Sequence, residues 1–143
     1  MKKHVAAICI AIAFSAGLFF SAMAKQKQAA GYILEHESAI AATEPGPHKG
    51  GGNTTAHRFF KAATDTKLQF TKRVLHPGSA IGYHLQKEEE IYYIASGSGE
   101  MTMNGTSFAV KTGDAILTFA GSSHGLKQTG TEDLVVIINY EKK

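Results

Sequence analysis

The sequence predicts an all-β fold, a sandwich or a barrel, from residue 54 onward. Short segments rich in β-branched and aromatic residues follow one another at close, regular spacing, and clusters of turn residues separate them. Asn104-Gly105 stands between two alternating segments, which is the strongest short signal for a β-hairpin. We find no convincing helical pattern and no internal repeat after residue 54. Phe, Tyr, Ile, Leu and Val are expected to supply the core.

Eight segments have the composition or the alternation of strands. They are residues 55–60, 68–75, 81–86, 91–94, 100–103, 106–110, 115–119 and 134–138. The turns between them include His76-Pro77-Gly78, because Pro fixes φ and Gly accepts positive φ, and the polar stretch 129–133.

The first 24 residues are predicted to be a secretory signal peptide. Lys2 and Lys3 precede an apolar run at 5–20, and Ala22-Met23-Ala24 supplies the small residues of a cleavage site before Lys25. A membrane anchor is the alternative, but the run is shorter than the roughly 20 residues that a spanning helix prefers. We therefore expect a periplasmic or secreted protein that has no membrane contact after cleavage.

Charge and cysteine content agree with export. The formal charge of +3 falls to +1 when Lys2 and Lys3 are removed, which argues against nucleic acid or anionic membrane as a partner. Cys9 is the only cysteine and is removed as well, so no disulfide can stabilise the mature chain. The remaining length suits one domain with its own core.

We divide the chain into the signal peptide 1–24, an N-terminal arm with a Gly/Pro-rich loop at 25–58, and a barrel at 59–143. The loop, residues 44–53, has two interpretations. A flexible connector is favoured, because Gly/Pro clusters mostly mark loops. In the other interpretation the loop lies near the mouth of a pocket, where glycines permit close backbone approach.

Four polar side chains from two segments form the candidate site. His84 and Gln86 are two apart, so on a strand both point to one face. Glu90 follows after a charged corner, and His124 comes from a second Gly-rich stretch. Two imidazoles, an amide oxygen and a carboxylate are the donors of a divalent metal site of mixed nitrogen and oxygen character.

These two stretches resemble the two sequence motifs of the cupin family. The first motif spaces two glycines, two histidines and a glutamate, and this chain places there Gly78, His84, Gln86, Glu90 and Gly97. In the second motif the matching residues are Gly113, Gly121 and His124. Three positions depart from the family pattern: Gln86 replaces a His, Phe119 a Pro and Gln128 an Asn. The likeness covers roughly the C-terminal half of the chain.

The resemblance implies a double-stranded β-helix, or jelly-roll, barrel with an N-terminal arm. It implies the small single-domain type of cupin, similar to oxalate-decarboxylase-like and mannose-6-phosphate-isomerase-like members. It also implies a homodimer, in which the arm at 31–60 could exchange strands between subunits.

The donor set favours Mn, Fe or Ni, and Zn or Cu could bind through higher affinity. Four protein ligands on an octahedral ion would leave two positions for water or substrate. The alternative is a barrel that has lost its metal, with His84 and Glu90 as a buried hydrogen-bonded pair. A metal is favoured, because burying these groups without an ion costs several desolvations.

Two classes of function follow. The first is a metal-dependent enzyme acting on a small hydroxylated or acidic substrate, for which the resemblance implies dioxygenase, isomerase or epimerase, lyase or decarboxylase chemistry. In it His57 or Tyr92 would carry the proton. The second is a non-catalytic cupin that binds a sugar or a small acid.

Overall fold

The computed structural model describes residues 31–142 and divides the chain into two units, Met1–Leu34 and Glu35–Lys143. Of the first unit only residues 31–34 are described. The predicted signal peptide and its cleavage site before Lys25 lie outside the described residues. All the secondary structure below belongs to the second unit.

Ten strands make up the described part of the second unit. They are β1 (Ala41–Pro45), β2 (Asn53–Phe59), β3 (Leu68–Leu75), β4 (Ala80–Leu85), β5 (Glu90–Ser96), β6 (Ser98–Met103), β7 (Thr106–Lys111), β8 (Ala115–Thr118), β9 (Ser123–Gln128) and β10 (Leu134–Glu141). Two single turns of 3₁₀ helix, Glu37–Ala39 and Pro47–Lys49, precede and follow β1. Among residues 31–142, no helical segment has the length and apolar character needed to cross a bilayer.

The strands form two antiparallel sheets. The larger has the order β1-β2-β3-β10-β5-β8 and the smaller the order β4-β9-β6-β7. The all-β prediction is therefore confirmed. Two strands were not predicted, β1 and β9, because neither has a clear run of β-branched residues. Pairing with neighbours, β2 for one and β4 and β6 for the other, makes them strands.

The predicted arm contains two strands that pair within this chain. β1 pairs with β2 along its whole length, and β2 pairs with β3 from Thr54 to Phe59. Residues 41–59 therefore extend the larger sheet at its edge. The boundary that we placed between arm and barrel at residue 59 stays a prediction.

The apolar core lies between the two sheets. Leu75, Ile94 and Val136 come from the larger sheet, and Met101 and Leu126 come from the smaller one. Burial alternates along β3, β5 and β10, so β5 places Tyr92 and Ile94 inside and their neighbours outside. The expectation that Phe supplies the core is wrong for the described residues, since Phe70, Phe108 and Phe119 are exposed. Phe70 faces outward on β3, Phe108 lies on the edge strand β7, and Phe119 begins the turn after β8.

The hairpin predicted at Asn104-Gly105 joins β6 to β7. Both turn residues have positive φ, 48° and 82°, as the two-residue turn that matches the strand twist requires. Asn104 also accepts a hydrogen bond from the Ser123 amide at 2.8 Å, which ties the turn to the start of β9.

The Gly/Pro-rich loop is packed against β4. A Cβ on Gly50 would collide with the Ala80 carbonyl, and one on Gly82 would collide with the His48 carbonyl. Close backbone approach, the second of the two interpretations above, therefore describes this loop better than a flexible connector. Only glycine at these two positions lets the loop and the strand come this close.

Glu44 on β1 ties three neighbouring strands together. Its Oε1 accepts from Arg58 on β2 at 2.6 Å and from Arg73 on β3 at 2.8 Å. Arg73 is buried and also donates to the Thr54 hydroxyl at 3.0 Å. The hydrogen bond from Arg58 is the main cause that lowers the pKa of the Glu44 carboxyl, and the Arg73 contact adds to it against the effect of burial.

Replacing a core leucine tests the alternation along β3. Leu75 is fully buried at one end of the strand, whereas Leu68 at the other end is 63% exposed. We expect Leu75→Ala to lower the free energy of unfolding by roughly 2 to 5 kcal/mol, because it leaves a cavity between the sheets. The matched variant Leu68→Ala should change it by less than about 1 kcal/mol in urea titrations. Equal losses would contradict this inside-outside assignment.

Glu44 gives a prediction for pH. Its folded pKa lies below the unfolded value, so its stabilisation is fully present above that value, 4.5, and is lost as pH falls through the folded pKa. We expect Glu44→Gln to cost about 2 kcal/mol at neutral pH, since buried Arg73 loses its charged partner.

The difference between Glu44→Gln and the wild type should therefore shrink as the pH is lowered below 4.5 in denaturant titrations. Glu141→Gln is the control, because the Lys67–Glu141 pair is long, 3.7 Å, and exposed. Its effect should stay within a few tenths of a kcal/mol at every pH, by order of magnitude. A deficit of Glu44→Gln that does not depend on pH would contradict the ion-pair explanation.

Candidate metal centre

A cavity of about 350 Å³ opens between the sheets at one end of the apolar core. The polar residues that line it include His48, Arg58, Arg73, His84, Gln86 and Glu90. Apolar side chains of Ile81 and Ile138 complete the wall next to the core. A cavity with a few convergent polar groups is typical of small-molecule binding.

His84 and His124 lie directly opposite each other on the paired strands β4 and β9. Their ring centroids are 4.6 Å apart, and the planes meet edge to face at 74°. The Nδ1 atom of His84 is 2.8 Å from the Gly82 carbonyl. Because a carbonyl can only accept, Nδ1 carries the proton and the lone pair of Nε2 is left for a ligand, which is the usual arrangement of a metal-binding histidine.

Glu90 reaches this pair from the other sheet. It is the first residue of β5 and is 5% exposed, and its Oε2 lies 3.2 Å from Nε2 of fully buried His124. That distance is short enough for an ion pair, yet Oε2 accepts no hydrogen bond, and Nδ1 of His124 has no partner either. Unpaired buried polar atoms are costly, so this geometry leaves a role for a cation.

Within residues 31–142, His84, Glu90 and His124 form a group that could hold a metal ion. One donor atom from each lies within 4.8 Å of the others. A divalent ion would satisfy the unpaired carboxylate oxygen and would bind neutral imidazole nitrogens. The donor set present therefore fits the group that the sequence predicted.

Gln86, the fourth predicted ligand, is brought to the same cavity. It follows the last residue of β4, is 7% exposed and lines the cavity with His84. Its backbone amide donates to the Ser122 carbonyl and its carbonyl accepts from the Gly121 amide, both at 2.8 Å. These bonds fix the residue against the turn that leads into β9. Its role as a ligand stays a prediction.

Tyr92 is also at the site. It is 2% exposed, lines the cavity, and places its hydroxyl 3.3 Å from Nε2 of His124. Burial, and next the charge of Glu90, raises the pKa of the Tyr92 phenol well above its ordinary value of 10.0. The hydroxyl therefore stays protonated at neutral pH and acts as a hydrogen-bond donor rather than as a base.

His57 is not brought to the cavity. It lies on the opposite face of β2 from Arg58 and does not line the cavity. Its Nδ1 is 3.0 Å from the Glu37 carbonyl, so the ring holds the first 3₁₀ turn against the outside of the sheet. The sequence could not show this, because the choice of face depends on which side of β2 meets the smaller sheet.

His48, and not His57, lies at the cavity mouth. Its ring stacks on His84 with centroids 3.5 Å apart and planes 3° from parallel. Burial, and next the proximity of His84, lowers the pKa of His48, which favours the neutral ring. His48 belongs to the loop 44–53, so this position agrees with the interpretation that sets the loop near the mouth of a pocket.

Sequence analysis missed Arg58 and Arg73 as site residues. Both line the cavity, and both point inward by the alternation of β2 and β3. Each has the parity of inward-facing residues such as Ala56 and Leu75, but only the packing of the sheets shows which parity faces inward. By contrast, the aromatic residues Tyr83 and Phe119 are 54% and 62% exposed and do not line the cavity.

Comparison with known proteins supports the resemblance to the cupin family. Residues 72–140 match the family model of the cupin domain, a range that includes all four predicted ligands. An oxalate-binding protein of Thermotoga maritima is 41% identical over 81 residues, which span 55% of this chain and 67% of that protein. A 5-nitrosalicylic acid 1,2-dioxygenase of Bradyrhizobium is 26% identical over 69 residues, 48% of this chain and 33% of the dioxygenase.

A solved structure agrees over its whole length. The crystal structure of a predicted oxalate decarboxylase from Thermotoga maritima superposes with a TM-score of 0.70 and 30% identity, covering 78% of this chain and 100% of that one. The jelly-roll barrel implied by the sequence motifs is thereby confirmed. On the family match, the relative and the shared fold, this chain belongs to the cupin family.

Proposed function

We propose that this protein binds a divalent metal through His84, Glu90 and His124, with Gln86 as a fourth ligand, and that a small carboxylic acid is its substrate. The convergence of three donor side chains within 4.8 Å, one of them with an unpaired buried oxygen, is the observation that carries the proposal. The oxalate-binding name of the relative at 41% identity supports an acid as the ligand.

Mn, Fe and Ni suit the donors best, because two imidazoles with two oxygen ligands make a harder site than three imidazoles would. Zn or Cu would compete through raw affinity. When bound, such an ion supplies Lewis-acid polarisation of a carboxylate or carbonyl oxygen.

The chain's own residues would do the rest of the work. The hydrogen bond from His84 to the Gly82 carbonyl fixes its ring, and the stacked His48 covers its face against water. Tyr92 holds a proton on its hydroxyl beside His124 and can donate it, or hydrogen-bond, to an oxygen of the acid. Reactions of the lyase or decarboxylase, dioxygenase, and isomerase or epimerase types are compatible with these roles.

The second candidate is an acid-binding cupin without catalysis. The name of the oxalate-binding relative favours it, because that name records binding and no reaction. Both functions need the same metal site and the same acid, and they differ only in whether Tyr92 transfers its proton.

We also propose that the mature protein starts at Lys25 and acts in the periplasm or outside the cell as a homodimer. The basic, apolar and small-residue regions of 1–24 support export. Ile91, Tyr93 and Leu117, each almost half exposed on the outer face of β5 and β8, support association. The N-terminal residue of the exported protein and its mass in solution test the two parts.

The metal ligands are tested by removing them one at a time. We expect His84→Ala and His124→Ala each to weaken metal binding by more than about 100-fold, since even residues that only orient a ligand account for roughly 10- to 100-fold. Gln86→Ala should weaken it less, because an amide is the weakest donor of the four. Competition with a chromophoric chelator measures the affinities.

His76→Ala is the matched control for these variants. His76 is bound by Thr55 and Asp133 outside the cavity, at 3.0 and 2.9 Å, so its loss should leave metal affinity unchanged. Metal binding at wild-type affinity by either His84→Ala or His124→Ala would contradict the assignment of these residues as ligands.

The variant Tyr92→Phe tests whether the protein is an enzyme or a binding protein without catalysis. It removes a single hydroxyl and should leave metal content unchanged, because Tyr92 is not a predicted ligand. Acid affinity should fall by no more than about tenfold, the contribution of one lost hydrogen bond. If the protein is an enzyme, turnover should fall by about 100-fold, the usual contribution of a positioned proton donor. Product formation from oxalate, hydroxy acids and salicylates can be followed by NMR.

A wild-type protein that binds these acids and converts none of them would favour the binding function. Unchanged turnover in Tyr92→Phe would remove the hydroxyl from the mechanism.

A further inference from the structure

A second polar cluster lines the cavity on the side formed by the larger sheet. Arg58 and Arg73 both reach the same oxygen of Glu44, at 2.6 and 2.8 Å. One carboxylate therefore meets two guanidinium groups, and the cluster keeps one positive charge in excess. The metal site does not use any of these three residues.

From this cluster we infer that the cavity has a second anion subsite, and that the ligand is an acid with two anionic groups separated by a chain or a ring. The inference rests on the proposed function for one end of the ligand, which would lie at the metal. The other end would pair with Arg58 and Arg73. Guanidinium groups match the two oxygens of a carboxylate or the oxygens of a phosphate.

The burial of Arg73 makes the cluster a built site. Its side chain is 6% exposed, and both of its contacts, to Glu44 and Thr54, are made through Nη1. Its Nε is buried without a partner, and Nη2 is left available to a ligand in the cavity that Arg73 lines. A buried cation with unused donors is costly unless something satisfies it.

Other charges at the cavity do not cancel this excess. Glu90 belongs to the metal group, where the bound ion would neutralise it. Glu88 also lines the cavity, but it is only partly buried, and water screens its charge. Gln69 and Thr71, the polar residues of β3 that line the same wall, are neutral.

Strand order separates the two ends of the ligand. Arg73 lies on β3 and Glu90 on β5, with β10 between them. Through Val136 of β10 the register sets Arg73 level with Ile94, four residues along β5 from Glu90, so the two backbones are roughly 16 Å apart. A cavity of about 350 Å³ has room for roughly ten water molecules. Oxalate, whose carboxylates are joined directly, would fill only a small part of this space and could not bridge the subsites.

A purely structural role for the pair, holding β1 on the sheet edge, is the alternative. It accounts for the contacts of Glu44 with both arginines. It does not account for the use of two cations where one carboxylate needs one, nor for their position in the cavity wall. Ligand binding separates the two explanations.

The test compares butyrate with glutarate, which adds a second carboxylate to the same chain, by calorimetry on the metal-loaded full chain at low salt. We expect glutarate to bind at least tenfold more tightly than butyrate, and more tightly than oxalate. Arg58→Gln should reduce the preference to about threefold or less without changing the affinity for butyrate. The affinity for 3-phosphonopropionate shows whether a phosphonate, which resembles a phosphate, can replace the second carboxylate.

Lys72→Gln is the matched control. It removes a cation from the strand next to Arg58, but Lys72 lies on the opposite face of its sheet and pairs with Glu37 at 2.7 Å. Its preference for glutarate should equal that of the wild type. Circular dichroism confirms folding, and if Arg58→Gln does not fold, Arg58→Lys should still lower the preference at least threefold by order of magnitude, because Lys cannot form two parallel bonds.

Equal affinities for butyrate and glutarate, an unchanged preference in Arg58→Gln, or tighter binding of oxalate would overturn the second subsite. The measurements distinguish failure of the proposed function from failure of the second subsite. If the protein retains no metal but the Arg58-dependent preference remains, the subsite holds and the metal-dependent function falls. If metal and butyrate bind but glutarate gains nothing, the reverse is true.

Discussion

The pairing of β4 with β9 is the constraint on which the site depends. It sets His84 and His124 directly across from each other, and Glu90 completes the group only because β5, in the other sheet, faces them across the barrel. No single segment contains the site. The apolar packing of Leu75, Ile94 and Met101 that holds the sheets together is therefore also what holds the donors in place.

The interior divides into an apolar half and a polar half. The core cluster fills one side, whereas Arg73, Glu90, His124 and Thr118 each keep a buried polar atom without a hydrogen-bond partner. Such atoms are tolerated at functional sites, where a bound ion or ligand supplies the missing interaction. Three of these residues, Arg73, Glu90 and His124, lie in the two clusters that we assign to the acid and the metal. Nothing in the structure explains the unpaired hydroxyl of Thr118.

The loop between β1 and β2 positions residues of the cavity. Its glycines allow the backbone to pack against β4, and this places the His48 ring on that of His84. On its N-terminal side Glu44 anchors the two arginines. The segment that precedes the sequence motifs of the family therefore shapes both ends of the cavity.

The sequence by itself determined the all-β class, the Asn104-Gly105 hairpin and the family, because these depend on local alternation, turn residues and fixed spacing. The same spacing predicted that His84, Glu90 and His124 share one site, as they do in the structure. It could not decide which face of β2 and β3 points inward. Tertiary packing alone turned His57 outward, brought Arg58 and Arg73 into the cavity, and placed the phenylalanines outside the core. The physical reason is that a strand has two faces of equal local propensity, and only contact with the opposite sheet makes one of them the interior.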